Sequence, residues 1–239
     1  EALPWQFETW ARLKRTQEAR NTPHALLFRG SAGIGKTQFS EALAALLLCQ
    51  DPTADGACGT CRACHFLQAG SHSDLLYLRP ENSRVIKIDQ VRSLIDFANQ
   101  TAALGQNKVI MINPAEAMNA SASNALLKCL EEPAEGTFLL LVSHAGGALP
   151  ATIRSRCQLI AMPEPDRAVS VAWLDQYTGD SDTSTALLET MHNRPLAALE
   201  LHLSEGLNKR QALQQSLNAL GAGKLSPLDF PQLVADLDL

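Results

Sequence analysis

Aromatic side chains are scarce in this 239-residue chain, 5% of the total. Platforms that stack unpaired bases interleave aromatic with basic residues. Here only Phe66 and Tyr77 fall near the cysteine cluster described below. Positive charge is in deficit too: 20 Lys and Arg stand against 25 Asp and Glu, a formal net charge of −5. That excludes a general basic field, so any nucleic-acid contact must use a local patch. No apolar run approaches the roughly 20 residues of a membrane-spanning helix, and no secretory-signal pattern opens the chain. The expected setting is cytoplasmic, with no membrane partner. The first residue is Glu1 rather than Met, which fits a trimmed end.

What is present is an ordinary core composition, 46% apolar, enough for one large domain or two small ones. Apolar positions at helical spacing predict helices over 5–20, 37–48, 62–68, 88–101 and 119–132, and a helical turn over 149–156. Short apolar runs predict strands at 24–29, 75–78, 108–112, 137–143 and 157–161. The alternation of strand and helix predicts an α/β fold with a parallel sheet flanked by helices. After Pro163-Glu164-Pro165 no strand pattern remains. Helical segments are expected at about 166–176, 183–192, 195–204, 207–220 and 229–237, a small all-helical second domain.

Gly30-Ser31-Ala32-Gly33-Ile34-Gly35-Lys36-Thr37 follows a predicted strand and opens a predicted helix. That is the context in which a phosphate-binding loop works. Its glycines let backbone amides turn inward as an anion nest, and the helix N-terminus adds partial positive charge. Lys36 would reach the β- and γ-phosphates and Thr37 would hold Mg²⁺. The alternative is a glycine-rich turn with a solvated lysine. Hydrolysis also needs a carboxylate at the end of a neighbouring strand. The strand Val109-Ile110-Met111-Ile112 is followed instead by Asn113-Pro114. Glu116 lies close in sequence but is expected to point elsewhere. Binding of ATP or ADP with Mg²⁺, without intrinsic hydrolysis, is the reading.

Four of the six cysteines cluster as Cys49-x8-Cys58-x2-Cys61-x2-Cys64. Four thiolates closing one tetrahedral shell predict a structural Zn²⁺ site. Reduced buried cysteines and an iron–sulfur cluster are the alternatives; the spacing does not match common ferredoxin runs. His65 and His72 are close enough to substitute as ligands, although four sulfurs already fill the shell.

Together with the phosphate loop and the four cysteines, two further motifs carry a resemblance. They are Asn124-Ala-Leu-Leu-Lys-Cys-Leu-Glu-Glu-Pro133 and Ser155-Arg156-Cys157. The chain resembles the AAA+ clamp-loader ATPase family of bacterial DNA polymerase III, over about residues 5–205. The resemblance implies an AAA+ nucleotide-binding domain at 1–163 with a zinc insertion at 49–64. It also implies a helical lid at 166–205 and, at 207–239, the start of a helical collar cut short at Leu239. It further implies that Arg156 acts in trans as an arginine finger at a neighbouring subunit's nucleotide; Arg154 is the nearest rival. Ser143 falls where the family places a polar sensing residue. The lid arginine of active members aligns with Leu196, two residues past Arg194. The implied partners are gamma/tau and delta clamp-loader subunits and, through the complex, a sliding clamp and primer–template DNA. The expected function is a non-hydrolysing subunit of a DNA polymerase holoenzyme. An active ATPase of gamma/tau type is the runner-up, opposed by Asn113-Pro114. A zinc-bearing nucleic-acid module with Arg62 as a contact is the third reading.

Overall fold

A computed structural model describes residues 2–81, 83–144, 148–204, 217 and 220. The chain divides into two compact units, Glu1–Glu164 and Pro165–Leu239.

In the first unit the strands are β1 (Ala25–Arg29), β2 (Leu75–Leu78), β3 (Lys108–Ile112), β4 (Thr137–Ser143) and β5 (Gln158–Ala161). They form one sheet in the order β2-β3-β4-β1-β5, every pair parallel. Parallel strands need crossovers, and the helices supply them. These are α2 (Lys36–Leu48), α3 (Arg62–Gln68), α4 (Ile88–Ala98), α5 (Ala120–Glu131) and α6 (Ala151–Arg154), while α1 (Phe7–Glu18) precedes β1.

Continuous apolar runs make strands here because both faces of the sheet are covered. Val109, Ile110, Met111 and Ile112 are all fully buried. Side chains alternate across a strand, so each run feeds two cores. Leu26, Phe28, Val109, Met111, Leu140 and Val142 pack with Phe39, Leu43 and Leu47 of α2. Leu27, Ile110, Ile112, Leu139 and Leu141 pack instead with Leu94 of α4 and Leu126 and Leu130 of α5. A slip of one residue in any central strand would exchange its two sets of packing partners, which fixes the register.

Local signals set the helix ends. Asn119 caps α5 by accepting the Ala122 N–H at 2.8 Å. Gly35, at φ 89°, provides the left-handed step into α2. In the second unit, α7 (Arg167–Thr178) is capped by Asp166, stops at Gly179, and is followed by α8 (Ser181–Thr190), capped by Asp180. The third helix, α9, runs Pro195–Leu203. Trp173 and Leu174 of α7, Leu187 and Leu188 of α8 and Ala198 of α9 are buried apolar side chains of this unit. The helices expected at 207–220 and 229–237, and with them the collar, lie outside the described residues, apart from two isolated positions. Among the described residues no helix is long and apolar enough to cross a membrane.

Candidate functional site

The phosphate loop leaves the C-terminal end of β1, inside the sheet rather than at its edge. Gly33 and Gly35 both take positive φ, at 80° and 89°. L side chains rarely adopt this conformation, and it turns successive amides to one side as an anion nest. The loop is braced from the N-terminal segment. Trp5 Nε1 donates to the Ile34 carbonyl at 2.9 Å, and Gln6 Nε2 donates to the Ile34 and Gly35 carbonyls at 3.0 Å each. Gln6 is wholly buried. With those carbonyls tied down on the outside, the amides keep their orientation. Lys36 is buried, its ammonium donating to the Ser31 carbonyl across the loop. The Ser31 hydroxyl donates to Glu164 at 2.9 Å.

Next to β1 is β4, and beyond it β3, whose end delivers Asn113 to the loop. Asn113 Nδ2 donates to Thr37 Oγ1 at 3.0 Å. Asn113 Oδ1 is buried and has no partner among the described residues. Thr37 therefore faces a neutral amide where metal-dependent hydrolases place a carboxylate. The residues fit a phosphate group, and at this position the protein offers a neutral amide rather than an anionic oxygen.

Glu116 stands closer to the loop than its place in the sequence suggests. Its Oε1 accepts the backbone N–H of His144 at 2.8 Å. His144 directly follows Ser143, the buried last residue of β4. Burial and the nearby Lys36 charge push the His144 imidazole below its ordinary value of 6.5, with Glu116 opposing. The Glu116–His144 bond had no signal in the sequence, because it joins a 3-10 turn at Ala115–Ala117 to the residue after β4, 28 residues apart.

The four clustered cysteines converge. Their Sγ atoms all lie within 4.8 Å of one another. The Cys49–Cys61 and Cys58–Cys64 separations are 3.9 Å, and Cys64–Cys49 is 3.7 Å. A zinc tetrahedron with Zn–S of about 2.3 Å requires S···S edges of about 3.8 Å. The geometry fits zinc. Backbone N–H groups of Cys58, Cys61 and Cys64 point at the preceding sulfurs at 3.2 to 3.5 Å, which favours thiolate. Backbone N–H bonds from Thr60 and Cys61 hold the Cys58 thiol down at about 6. Burial pushes Cys64 up to about 12. His72 is not part of the cluster; its Nδ1 accepts the Asp74 N–H at 3.0 Å.

Arg156 sits at the entry to β5, at the opposite end of the sheet from the phosphate loop. Its guanidinium pairs with Glu131, the last residue of α5. Arg154 closes α6 and is exposed. Cys157, between Arg156 and the strand, packs against the core, and burial pushes its thiol up to about 12. It is a packing residue, not a nucleophile. In the second unit, Arg194 precedes α9 and Leu196 lies in its first turn.

Comparison with known proteins bears on these sites together. Residues 5–166 match the family described as DNA polymerase III, delta subunit. The chain is 47% identical over 213 residues to DNA polymerase III subunit delta′ of Pseudomonas aeruginosa, covering 87% of this chain and 63% of that one. It is 36% identical over 216 residues to the Escherichia coli K12 subunit of the same name, covering 90% of this chain and 65% of that one. It thus spans somewhat less than two thirds of those relatives. A Thermotoga maritima protein related to the DNA polymerase III gamma subunit shares the fold at a TM-score of 0.54 and 19% identity, over 94% of this chain and 77% of its own. The T. maritima RuvB Holliday junction motor does so at 0.52 and 11%, over 97% and 67%. The fold is that of the AAA+ proteins, and the chain belongs to the DNA polymerase III delta-subunit family, among relatives named subunit delta′.

Proposed function

We propose that this chain is a non-hydrolysing subunit of a cytoplasmic DNA polymerase III clamp loader. In this reading residues 1–163 are a nucleotide-binding domain carrying a zinc-bound insertion at 49–64. Residues 166–205 are a lid, and 207–239 begin a collar. The loop Gly30–Thr37 holds ATP or ADP, and Arg156 is supplied to a neighbouring subunit's nucleotide. Gamma/tau and delta subunits are the partners, and the sliding clamp and primed DNA are reached through the complex.

The observation that carries this reading is the Asn113–Thr37 hydrogen bond within an otherwise complete phosphate loop. The loop has what binding requires: an amide nest, a helix N-terminus and Lys36. Beside Thr37 it presents the neutral Asn113 amide where hydrolases place a carboxylate to orient water or hold metal. Arg156, on the far end of the same sheet, supports a contribution made elsewhere. A guanidinium at a partner's γ-phosphate offsets charge that develops during transfer, a contribution on the order of 10³-fold or more in known cases.

Reconstitution with gamma/tau and delta tests it. Arg156→Ala should lower DNA-stimulated ATP turnover and clamp loading while the complex still assembles. Normal loading by that variant would remove the finger assignment. ATP turnover by the isolated chain that Lys36→Ala abolishes would favour an active ATPase instead.

A further inference from the structure

We propose that the outer edge of β2 takes one further strand from a partner protein, an extended segment with an apolar, a basic and an acidic residue at alternate positions.

β2 is the last strand of the sheet, and among the described residues no strand pairs with its outer side. In a parallel pair each residue turns both backbone groups the same way, and successive residues alternate. The Asp74 and Leu78 carbonyls accept the N–H groups of Val109 in β3 and of Asn113 just past it, at 2.9 and 3.0 Å. Leu75 and Tyr77 therefore turn theirs outward. The Leu75 N–H is used, donating to the His72 carbonyl at 3.2 Å. The Leu75 carbonyl and both Tyr77 groups remain for an added strand. Natural sheets usually cover or blunt such an edge, and strand addition is the recognition mode it fits.

The same two residues send their side chains toward α2. Leu75 packs against the core on that face, and Tyr77 is 42% exposed. With Glu41 and Ala45 of α2, Leu67 of α3 and His72 they line a groove of about 390 Å³. Alternate side chains of an added strand would fall on this face.

Charge sets their order. Tyr77 Oη donates to Glu41 Oε1 at 3.1 Å. Burial and Glu41 raise the Tyr77 phenol, with Arg79 opposing, so both ions lie near the ring. Both are exposed, and neither forms a salt bridge among the described residues. The incoming residue beside Leu75 is then apolar, the one beside Tyr77 is basic and pairs with Glu41, and the one beside Arg79 is acidic.

The probe is a fluorescein-labelled peptide, Thr-Leu-Thr-Arg-Thr-Glu-Thr, titrated against the whole chain alongside the reversed sequence, so that both strand directions are offered. The expected result is saturation below about 1 mM for one of the two. Tyr77→Pro removes an outward N–H without touching the β3 ladder and should weaken that peptide by about tenfold. Glu41→Arg should weaken it by about tenfold too, and glutamate in place of the peptide's arginine should restore binding to that variant. If Tyr77→Pro does not fold, N-methylation of the peptide amides that face Tyr77 makes the same measurement on the unaltered chain. Saturation by neither peptide would overturn the proposal. So would binding that Glu41→Arg and N-methylation both leave unchanged. A concentration-dependent dimer of the chain that Tyr77→Pro abolishes would give the edge to a second copy and overturn it as well.

Discussion

Arg156 and Glu131 lie side by side, with Nε of the guanidinium 2.6 Å from the carboxylate Oε1. Nη1 donates to the Thr152 carbonyl at 2.9 Å, so the arginine is gripped along one edge. The pair is partly exposed, and such pairs contribute about 0–1 kcal/mol to stability. Its effect is on direction: the side chain is held in one orientation, so in the proposed role at a partner's nucleotide less entropy would be lost on contact. Glu131→Ala is expected to leave the melting temperature within about 2–4 °C of the parent. In the reconstituted complex it should reduce partner turnover, and add nothing when Arg156 is already alanine. Thermal melts and a double-mutant cycle on ATP turnover check this.

The zinc site should behave as a structural staple. Chelation would remove the ion, and Cys64→Ser one of its four ligands, from a site that ties the end of α2 to α3 through Cys49, Cys58, Cys61 and Cys64. The expected outcome is one zinc per chain in the parent and faster proteolysis within 49–72 after chelation, because the metal supplies folding free energy. The melt should also fall. Metal analysis and limited proteolysis check it.

Gly136 permits the approach of β3 to β4. It takes φ 71°, and a Cβ there would stand 2.3 Å from the Gln106 carbonyl oxygen. The Gly136 carbonyl in turn accepts the Lys108 N–H at 2.8 Å, at the start of the β3–β4 register. Gly136→Ala should cost about 3 kcal/mol, combining a strained left-handed residue with a backbone clash. Urea unfolding of parent and variant measures it.

Acid should weaken the chain in part through His144. Its folded pKa is depressed below the ordinary 6.5 by burial and by Lys36. The unfolded state then binds the proton first. The stability from holding this ring neutral is fully present above about pH 6.5 and is lost as pH falls below it, until the lowered folded pKa is passed. His144→Asn should flatten the stability profile between about pH 7.5 and 5.5 relative to the parent. The four clustered cysteines are the same in both proteins, so the difference between the two profiles isolates the histidine.

The sheet was legible because its strands are short unbroken apolar runs. A run such as Val109–Ile112 has few alternatives once turns bound it on both sides. The four cysteines were legible because a metal site writes its spacing into the chain. The phosphate loop was legible for the same reason, and so was Asn113 at the end of its strand. Three features were not. Trp5 and Gln6 read as the start of an amphipathic helix, yet they brace the loop from 28 and 29 residues away. The Glu116–His144 bond joins a 3-10 turn to the segment after β4. Asp74 is a buried carboxylate that accepts the Ala103 and Leu104 N–H groups at 2.7 and 2.8 Å, fixing the path into β3. Each depends on a backbone amide or carbonyl as one partner. Every residue has these groups, so sequence carries no mark of which one is used.

The parallel pairing of β1 with β5 carries a consequence for symmetry. Arg29 pairs with Ala161 and Leu26 with Gln158, so Arg156 falls level with His24. The phosphate loop begins at the other end of those strands, about 20 Å away at about 3.3 Å per residue. A subunit that receives nucleotide at one pole and offers a guanidinium at the other is directional. Two such subunits cannot both be served across a two-fold axis, because an isologous contact places the same patch on both sides. On the proposed reading they would stack head to tail, each presenting its Arg156 pole to the next one's loop, and an arrangement of that kind closes as a ring or winds as a spiral. Its terminal member has one pole facing no neighbour. On the same proposal, a subunit whose own loop does not hydrolyse nucleotide would lose least by standing in that place.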